Sequence, residues 1–437
     1  MFRLDEQTRL SYTFLLKWML LSILSGIVGA GVVRGFHLLV SAITGRLAVA
    51  GVPIFVWPLG GALVAGGLIY RIEPNAAGEG IPSYIRGIRV DKGNLGFSVT
   101  FYKFWAALAT LSTFGNGGVV GPLGRVCAGM ISTLEHRLAG LHAAFGQEDR
   151  RTASLCGLAA AVGAIFHSSI GGGIFAVEVI QRSKMGYKDL FPAILSSSTA
   201  VFVCKAVGWP SFYRLDAVDR FMDIGKIGPL LLLVLIVGFA GGAFTTLYRF
   251  ITRIISRQEG NVLLKVLGGS LAASLIAWAI NPALLGTGKE LIAGVFDGNW
   301  EQCSGRLNPF VPPAIALVIV AVAKALCNCI TVGSGMSAGF TGPAALIGMM
   351  LGSATAVAAG VPPSSATYYA LVAAGFSGML ASSMNIPLAA SVMTTEIFGL
   401  QYGFPGGLAA IVGFQVTRHQ TIYDYALAGA GLAVDED

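Results

Sequence analysis

Between Lys324 and Glu396 the chain reads ALCNCITVGSGMSAGFTGPAALIGMMLGSATAVAAGVPPSSATYYALVAAGFSGMLASSMNIPLAASVMTT, residues 325–395. These 71 residues contain no Asp, Glu, Lys, Arg or His. Such a run fits the hydrocarbon core of a bilayer, where about 20 apolar residues make one helical crossing. It does not read as three clean crossings. Gly333-Ser334-Gly335, Gly339, Gly342-Pro343, Gly352, Gly360 with Pro362-Pro363, and Pro387 interrupt it. Irregular backbone at membrane depth is tolerated only where protein buries it or where it lines an aqueous cavity. The run therefore predicts short, tilted or half-spanning helices around an internal site, as in transporters built from discontinuous helices.

The rest of the chain agrees. Of 437 residues, 54% are hydrophobic and 12% charged, whereas soluble domains carry roughly 25% charge. Mean hydropathy is +0.72. This excludes disorder, a collagen-like fibre and an ordinary soluble enzyme, and leaves an all-α polytopic membrane protein. The net charge of +7, from 29 Lys+Arg against 22 Asp+Glu, is scattered among apolar segments. It forms no basic stripe, so nucleic acid is not an expected partner; the lipid bilayer is. Five of the six cysteines (Cys127, Cys156, Cys204, Cys303, Cys327, Cys329) sit in apolar segments, where Cys acts as a small hydrophobe. With no C-x-x-C and no H-E-x-x-H, neither a metal nor a cofactor is expected.

Uncharged stretches locate further crossings at Ile54–Tyr70, Phe104–Leu123, Thr152–Val177, Leu190–Cys204, Ile227–Tyr248, Val266–Ile280 and Pro312–Ala323. The apolar N-terminal stretch Ser11–Val40 is too long for a signal-peptide core and carries Lys17 and Arg34, so it reads as a retained helix. Three basic clusters (Arg86, Arg89, Lys92; Arg182, Lys184, Lys188; Arg249, Arg253, Arg257) mark the cytoplasmic side, with the N-terminus. One transmembrane domain is expected over 1–437, in the cell membrane (the inner membrane of a bacterium), with no cytoplasmic regulatory domain after the last apolar segment, Leu408–Phe414.

The halves resemble each other. Lys103 and Lys324, Gly118 and Gly339, and Pro122 and Pro343 each stand 221 residues apart. Solitary intramembrane acids, Glu178 and Glu396, stand 218 apart, each after a kinked stretch, Phe166-His167-Ser168-Ser169 or Met384-Asn385-Ile386-Pro387. A duplicated fold is expected, with repeats over about 15–210 and 225–430 and a site at their interface near the bilayer midplane. Whether the repeat is parallel or inverted is not readable from the spacing.

Three Gly/Pro segments could open helices: Gly78-Glu79-Gly80-Ile81-Pro82, Gly118-Val119-Val120-Gly121-Pro122 and Gly339-Phe340-Thr341-Gly342-Pro343. A helix start leaves backbone N–H groups free and presents the positive end of the dipole, which suits an anion. Backbone dipoles bind a permeant anion without the excessive hold of a full cation.

In order and spacing these segments resemble the GSGIP, GREGP and GIFAP motifs of the chloride channel and proton–chloride antiporter (CLC) family. Lys103 matches that family's basic residue ahead of its gate, and Ile422-Tyr423-Asp424 falls where the family has an anion-binding tyrosine. The resemblance runs from about Leu15 to Ala430. It implies a homodimer with a pore in each subunit, inverted-topology halves and about eighteen helices. It also implies an anion held by the backbone of Phe340 and Thr341 and the hydroxyl of Tyr423, beside Glu79, Gly80 and Ile81.

Three departures bear on mechanism. The family's gating glutamate falls at Val120 and its inner proton-transfer glutamate at Val179, beside a retained Glu178. Neither valine can carry a proton, which points to passive, uncoupled movement of an anion, chloride first. The third departure cuts the other way. The family's anion-facing serine falls at Glu79, and a carboxylate beside an anion is repelled. Glu79 is then protonated and donating, or a relocated gate or proton carrier, or rotated toward water; the relocated carrier is the alternative that restores proton-coupled antiport.

Blander readings stand beside these. Glu178 and Glu396 are expected to be structural, as helix caps or as partners of Lys103 and Lys324, and His167 to be a satisfied core histidine. The reading from another class is an intramembrane serine protease, with Ser377 in Gly375-Phe376-Ser377-Gly378 as nucleophile and His419 as base. It leaves the repeat and the Gly/Pro loops unexplained, so the chain is not expected to be an enzyme.

Overall fold

The computed structural model describes residues 6–141, 147–180, 186–211, 221–257 and 261–429. Arg182 and Lys184 of the second basic cluster lie outside them. The described residues form eighteen α-helices and no strand. The first half holds α1 (Glu6–Ala48), α2 (Trp57–Arg71), α3 (Ile81–Arg89), α4 (Phe97–Ser112), α5 (Val120–Leu141), α6 (Gln147–Phe166), α7 (Ser169–Glu178) and α8 (Tyr187–Ala206). The second holds α9 (Ile227–Arg257), α10 (Val262–Ile280), α11 (Lys289–Phe296), the five-residue α12 (Trp300–Ser304), α13 (Pro313–Gly333), α14 (Thr341–Ala358), α15 (Ala366–Met384), α16 (Pro387–Phe398) and α17 (Gly403–Thr417), and α18 (Asp424–Gly429) is the last described element.

Seven helical segments among the described residues are long and apolar enough to cross a membrane. The others are short or buried inside. All 19 residues of α15 are buried, flanked by α14, α16 and α17. Small residues make this packing close, as expected between helices in lipid. A Cβ on Gly348 of α14 would lie 2.1 Å from the carbonyl oxygen of Gly375 on α15, and one on Gly375 would lie 2.0 Å from that of Gly348.

The uncharged run breaks at residues 334–340, 359–365 and 385–386, close to where its glycines and prolines fall. Gly352 is different: it continues α14, and a Cβ there would lie 2.3 Å from the Leu371 carbonyl oxygen, so this glycine admits a neighbouring helix. Two expected crossings are not single helices. Phe104–Leu123 is divided between α4 and α5, with Phe114 in the left-handed region at φ 63°. Thr152–Val177 is divided between α6 and α7 by His167, at φ 54°. Hydropathy does not register such a reversal. Asn385 occupies the same conformation, φ 55°, between α15 and α16. His and Asn are among the few non-glycine residues that take it readily, so the half-buried His167 serves the turn.

Two of the contacts between the halves show how the repeat is arranged. Gly118 and Gly339 exchange both backbone hydrogen bonds, Gly118 N–H to the Gly339 oxygen at 2.8 Å and Gly339 N–H to the Gly118 oxygen at 2.7 Å. Near the other end of the repeat, Glu178 at the end of α7 accepts from the N–H groups of Leu388 (3.0 Å) and Ala389 (2.7 Å) at the start of α16. Glu396, near the end of α16, accepts from Ile170 (2.9 Å) and Gly171 (3.0 Å) at the start of α7, and from the Ser168 hydroxyl. Each helix end caps the other's beginning, so α7 and α16 run antiparallel and the repeat is inverted. The two acids are helix caps and use backbone N–H groups; the lysines have other partners.

Candidate functional site

The site grows from the turn before α3. A 3-10 turn, Pro74–Ala76, leads into Gly78 at φ 69° and Gly80 at φ 114°. Glycine takes the Gly80 angle without strain, and a Cβ at Gly80 would also lie 2.5 Å from the Gly121 carbonyl oxygen. The turn is pinned from behind by Lys103 of α4, fully buried, whose ammonium donates to the carbonyls of Ala76 (3.1 Å), Ala77 (3.0 Å) and Gly78 (2.5 Å). Three donors meet three acceptors, which is how a buried ammonium is tolerated.

Glu79 projects from this turn into the space where three helices begin. Its Oε2 accepts from the N–H of Ile81, first residue of α3, at 2.6 Å. Its Oε1 accepts a long hydrogen bond, 3.5 Å, from the N–H of Phe340, the residue before α14. A Cβ on Gly121, in the first turn of α5, would lie 2.2 Å from the same Oε1. The carboxylate is thus buried among the positive ends of α3, α5 and α14, with the charge of Lys103 acting on it from behind.

Tyr423 and Thr341 complete the surround. The Tyr423 hydroxyl is fully buried, feels the charge of Glu79 and faces Thr341. Neither hydroxyl makes a well-formed hydrogen bond. Phe340 is held by aromatic packing, its ring centroid 4.6 Å from that of Tyr248 and 5.8 Å from that of Phe244, both on α9. The arrangement brings together Glu79, Gly80, Ile81, Val120, Phe340, Thr341 and Tyr423. Val120 opens α5 and is 1% exposed. Val179 follows α7, buried, and adjoining Glu178 is committed to the cap on α16. Ser377 is fully buried on α15, whereas His419 is exposed and accepts from Arg418 Nε at 2.8 Å. One is sealed in the core and the other is on the surface, which removes the protease pair.

One element escaped sequence reasoning. In the second half a 3-10 turn, Pro282–Leu284, precedes Gly286 at φ 64° and Gly288 at φ 80°, and α11 follows. Buried Lys324 donates to the carbonyls of Leu284 (2.8 Å) and Gly286 (2.9 Å). This is the counterpart of the Glu79 turn, with Thr287 in the place of Glu79. It stands 208 residues on, because the segment with α12 has no equivalent in the first half.

Buried backbone donors at converging helix starts, in an inverted duplication of membrane helices, define an anion-transport protein. Residues 60–418 match the family model described as voltage gated chloride channel, and the chain belongs to that family. It is 26% identical over 422 residues to an uncharacterized protein of Methanocaldococcus jannaschii, covering 95% of this chain and 96% of that one. It is also 26% identical over 410 residues to the H(+)/Cl(-) exchange transporter ClcA of Cronobacter sakazakii, covering 88% and 82%. Among solved structures, a CLC-type fluoride/proton antiporter superposes with a TM-score of 0.79 at 20% identity, over 94% of this chain and 98% of that one. Family members are channels or transporters of anions, and this chain is an integral membrane protein of CLC fold.

Proposed function

We propose that the chain moves a small anion, chloride first, passively across the cell membrane through a pore in each subunit of a homodimer, and that the Glu79 carboxylate is the gate. One observation carries this reading: Glu79 accepts from the N–H groups of Ile81 and Phe340, at the place where the family resemblance puts the anion. An ionised carboxylate there is a tethered competitor. Protonation, or rotation of the side chain, gives the donors back, together with the free hydroxyls of Tyr423 and Thr341. Val120 and Val179 hold no proton, and Glu178 is occupied as a cap, so nothing at those positions links anion movement to a proton. The pore is built from duplicated units, which we take to run over about 15–210 and 225–430.

The same burial of Glu79 favours a second reading, in which its carboxyl carries a proton on every cycle and the protein exchanges protons for chloride. Purified protein in liposomes with an outward chloride gradient separates the two. Chloride efflux and external pH are recorded together, with and without a protonophore. Chloride loss without proton uptake supports the passive reading. Proton uptake in fixed proportion to chloride loss supports exchange and refutes it.

A further inference from the structure

We propose that a groove between the end of α9 and the start of α10 seats one acyl chain of an anionic phospholipid, with its headgroup held at Lys265. The groove has a volume of about 490 Å³ and walls of Ile251, Ile254, Ile255, Leu264 and Ile330. Leu264 and Ile254 are 66% and 45% exposed, so the walls open outward to the lipid side of the helices. An apolar groove facing hydrocarbon is filled by hydrocarbon. Among the described residues that line the groove, Lys265 is the one charged side chain and none is acidic. Arg253 and Arg257 lie exposed in the last turns of α9. This is the end of the molecule that the positive charge assigns to the cytoplasm, where lipids are anionic and attract such residues.

The shape of the groove depends on one glycine. A Cβ on Gly268 would meet nothing within 4 Å, so the space above it is open, whereas a Cβ on neighbouring Gly269 would lie 2.6 Å from Ser334. The floor leads to the anion site. Ile330 stands three residues before Gly333, where α13 ends and the loop to Phe340 begins. Tyr248, three residues before Ile251, packs on Phe340. A seated chain therefore braces both elements that hold Phe340.

The test uses full-length protein purified from a mixture of phosphatidylglycerol and phosphatidylcholine, with the lipid retained after detergent exchange counted by mass spectrometry. Wild type is expected to retain phosphatidylglycerol about fivefold over phosphatidylcholine, the preference one lysine gives at an anionic surface. Lys265→Gln should lose that preference and keep an acyl chain. Gly268→Phe should retain neither lipid; its Cβ meets no protein atom within 4 Å, and an unchanged melting temperature checks that the fold is kept. Equal retention of the two lipids by wild type overturns the proposal. So does unchanged retention in Gly268→Phe, or a dimer formed through this face and lost in that variant. Chloride efflux from vesicles of either lipid gives a second readout: faster efflux with phosphatidylglycerol in wild type alone supports bracing of Phe340. Absence of all efflux would sink the transport reading and leave the lipid count standing.

Discussion

Replacing Glu79 by Gln removes a charge from the centre of the site and keeps the side chain's volume and reach. In the wild type the carboxylate lies 2.6 Å from the N–H nitrogen of Ile81, so an incoming anion meets it at close range. Two like unit charges about 4 Å apart, at an effective dielectric of about 20, repel by about 4 kcal/mol. That corresponds to about a thousandfold in occupancy, at about 1.4 kcal/mol per factor of ten. The neutral form is the permissive one, so acid opens the pathway and alkali closes it. Once Glu79 is mostly ionised, wild-type efflux should fall by up to about tenfold per pH unit, to a floor about a thousandfold below the acid plateau. Glu79→Gln should stay near that plateau at every pH. The assay is chloride efflux from liposomes held at the same pH inside and out, stepped from about pH 4 to about pH 10 so that both the ordinary carboxylate range and that of buried carboxyls are crossed. A flat wild-type profile, or a Gln variant with the wild-type slope, would show that this carboxylate does not gate.

Other consequences are open to measurement. Glu178→Gln weakens two charge-assisted caps on α16 and should cost about 2 kcal/mol, seen as a lower melting temperature in detergent with chloride efflux per folded protein unchanged. A changed proton-to-chloride ratio would instead make Glu178 part of a proton path. Gly348→Ala pushes a methyl to 2.1 Å from the Gly375 carbonyl oxygen and should destabilise the α14–α15 pair by about 2 kcal/mol; a wild-type melting curve would mean that these helices can part freely. His167 stands in the left-handed region, so His167→Asn should melt like wild type, whereas His167→Val should lose about 1–2 kcal/mol. Equal losses in both would assign the histidine side chain a role beyond the turn.

Legibility in the sequence followed the physical signal each feature leaves. Charge-free stretches and Gly/Pro turns mark depth and interruption, and the paired residues Lys103 and Lys324, Gly118 and Gly339, and Glu178 and Glu396 expose the duplication. Helix starts at Ile81, Val120 and Thr341 follow from proline tolerance in a first turn. What could not be read depends on through-space partners. A glutamate at the end of one helix says nothing of which helix it caps, so the crossing of Glu178 onto α16 and Glu396 onto α7 appears only once α7 and α16 are antiparallel. The turn at Thr287 was hidden because the α12 segment shifts its spacing from 221 to 208 residues. The division at Phe114 was hidden because a single left-handed residue leaves hydropathy unchanged, whereas the one at His167 falls in the stretch Phe166–Ser169 that reads as kinked. The seat of Glu79 was legible as a conflict, an acid in an anion motif, but its orientation toward Ile81 and Phe340 was not.

The exchange of caps between α7 and α16 also orders the birth of the protein. Synthesis runs from the N-terminus, so α7 enters the membrane with its starting N–H groups unmet and with Glu178 lacking its partners. The ribosome has still to add more than two hundred residues before Glu396 exists. Through that interval the first half is an incomplete object that offers a carboxylate and a bare helix start to whatever is near. Completion of the second half quenches both at once. A chain cut between its halves should therefore need both pieces made in the same membrane.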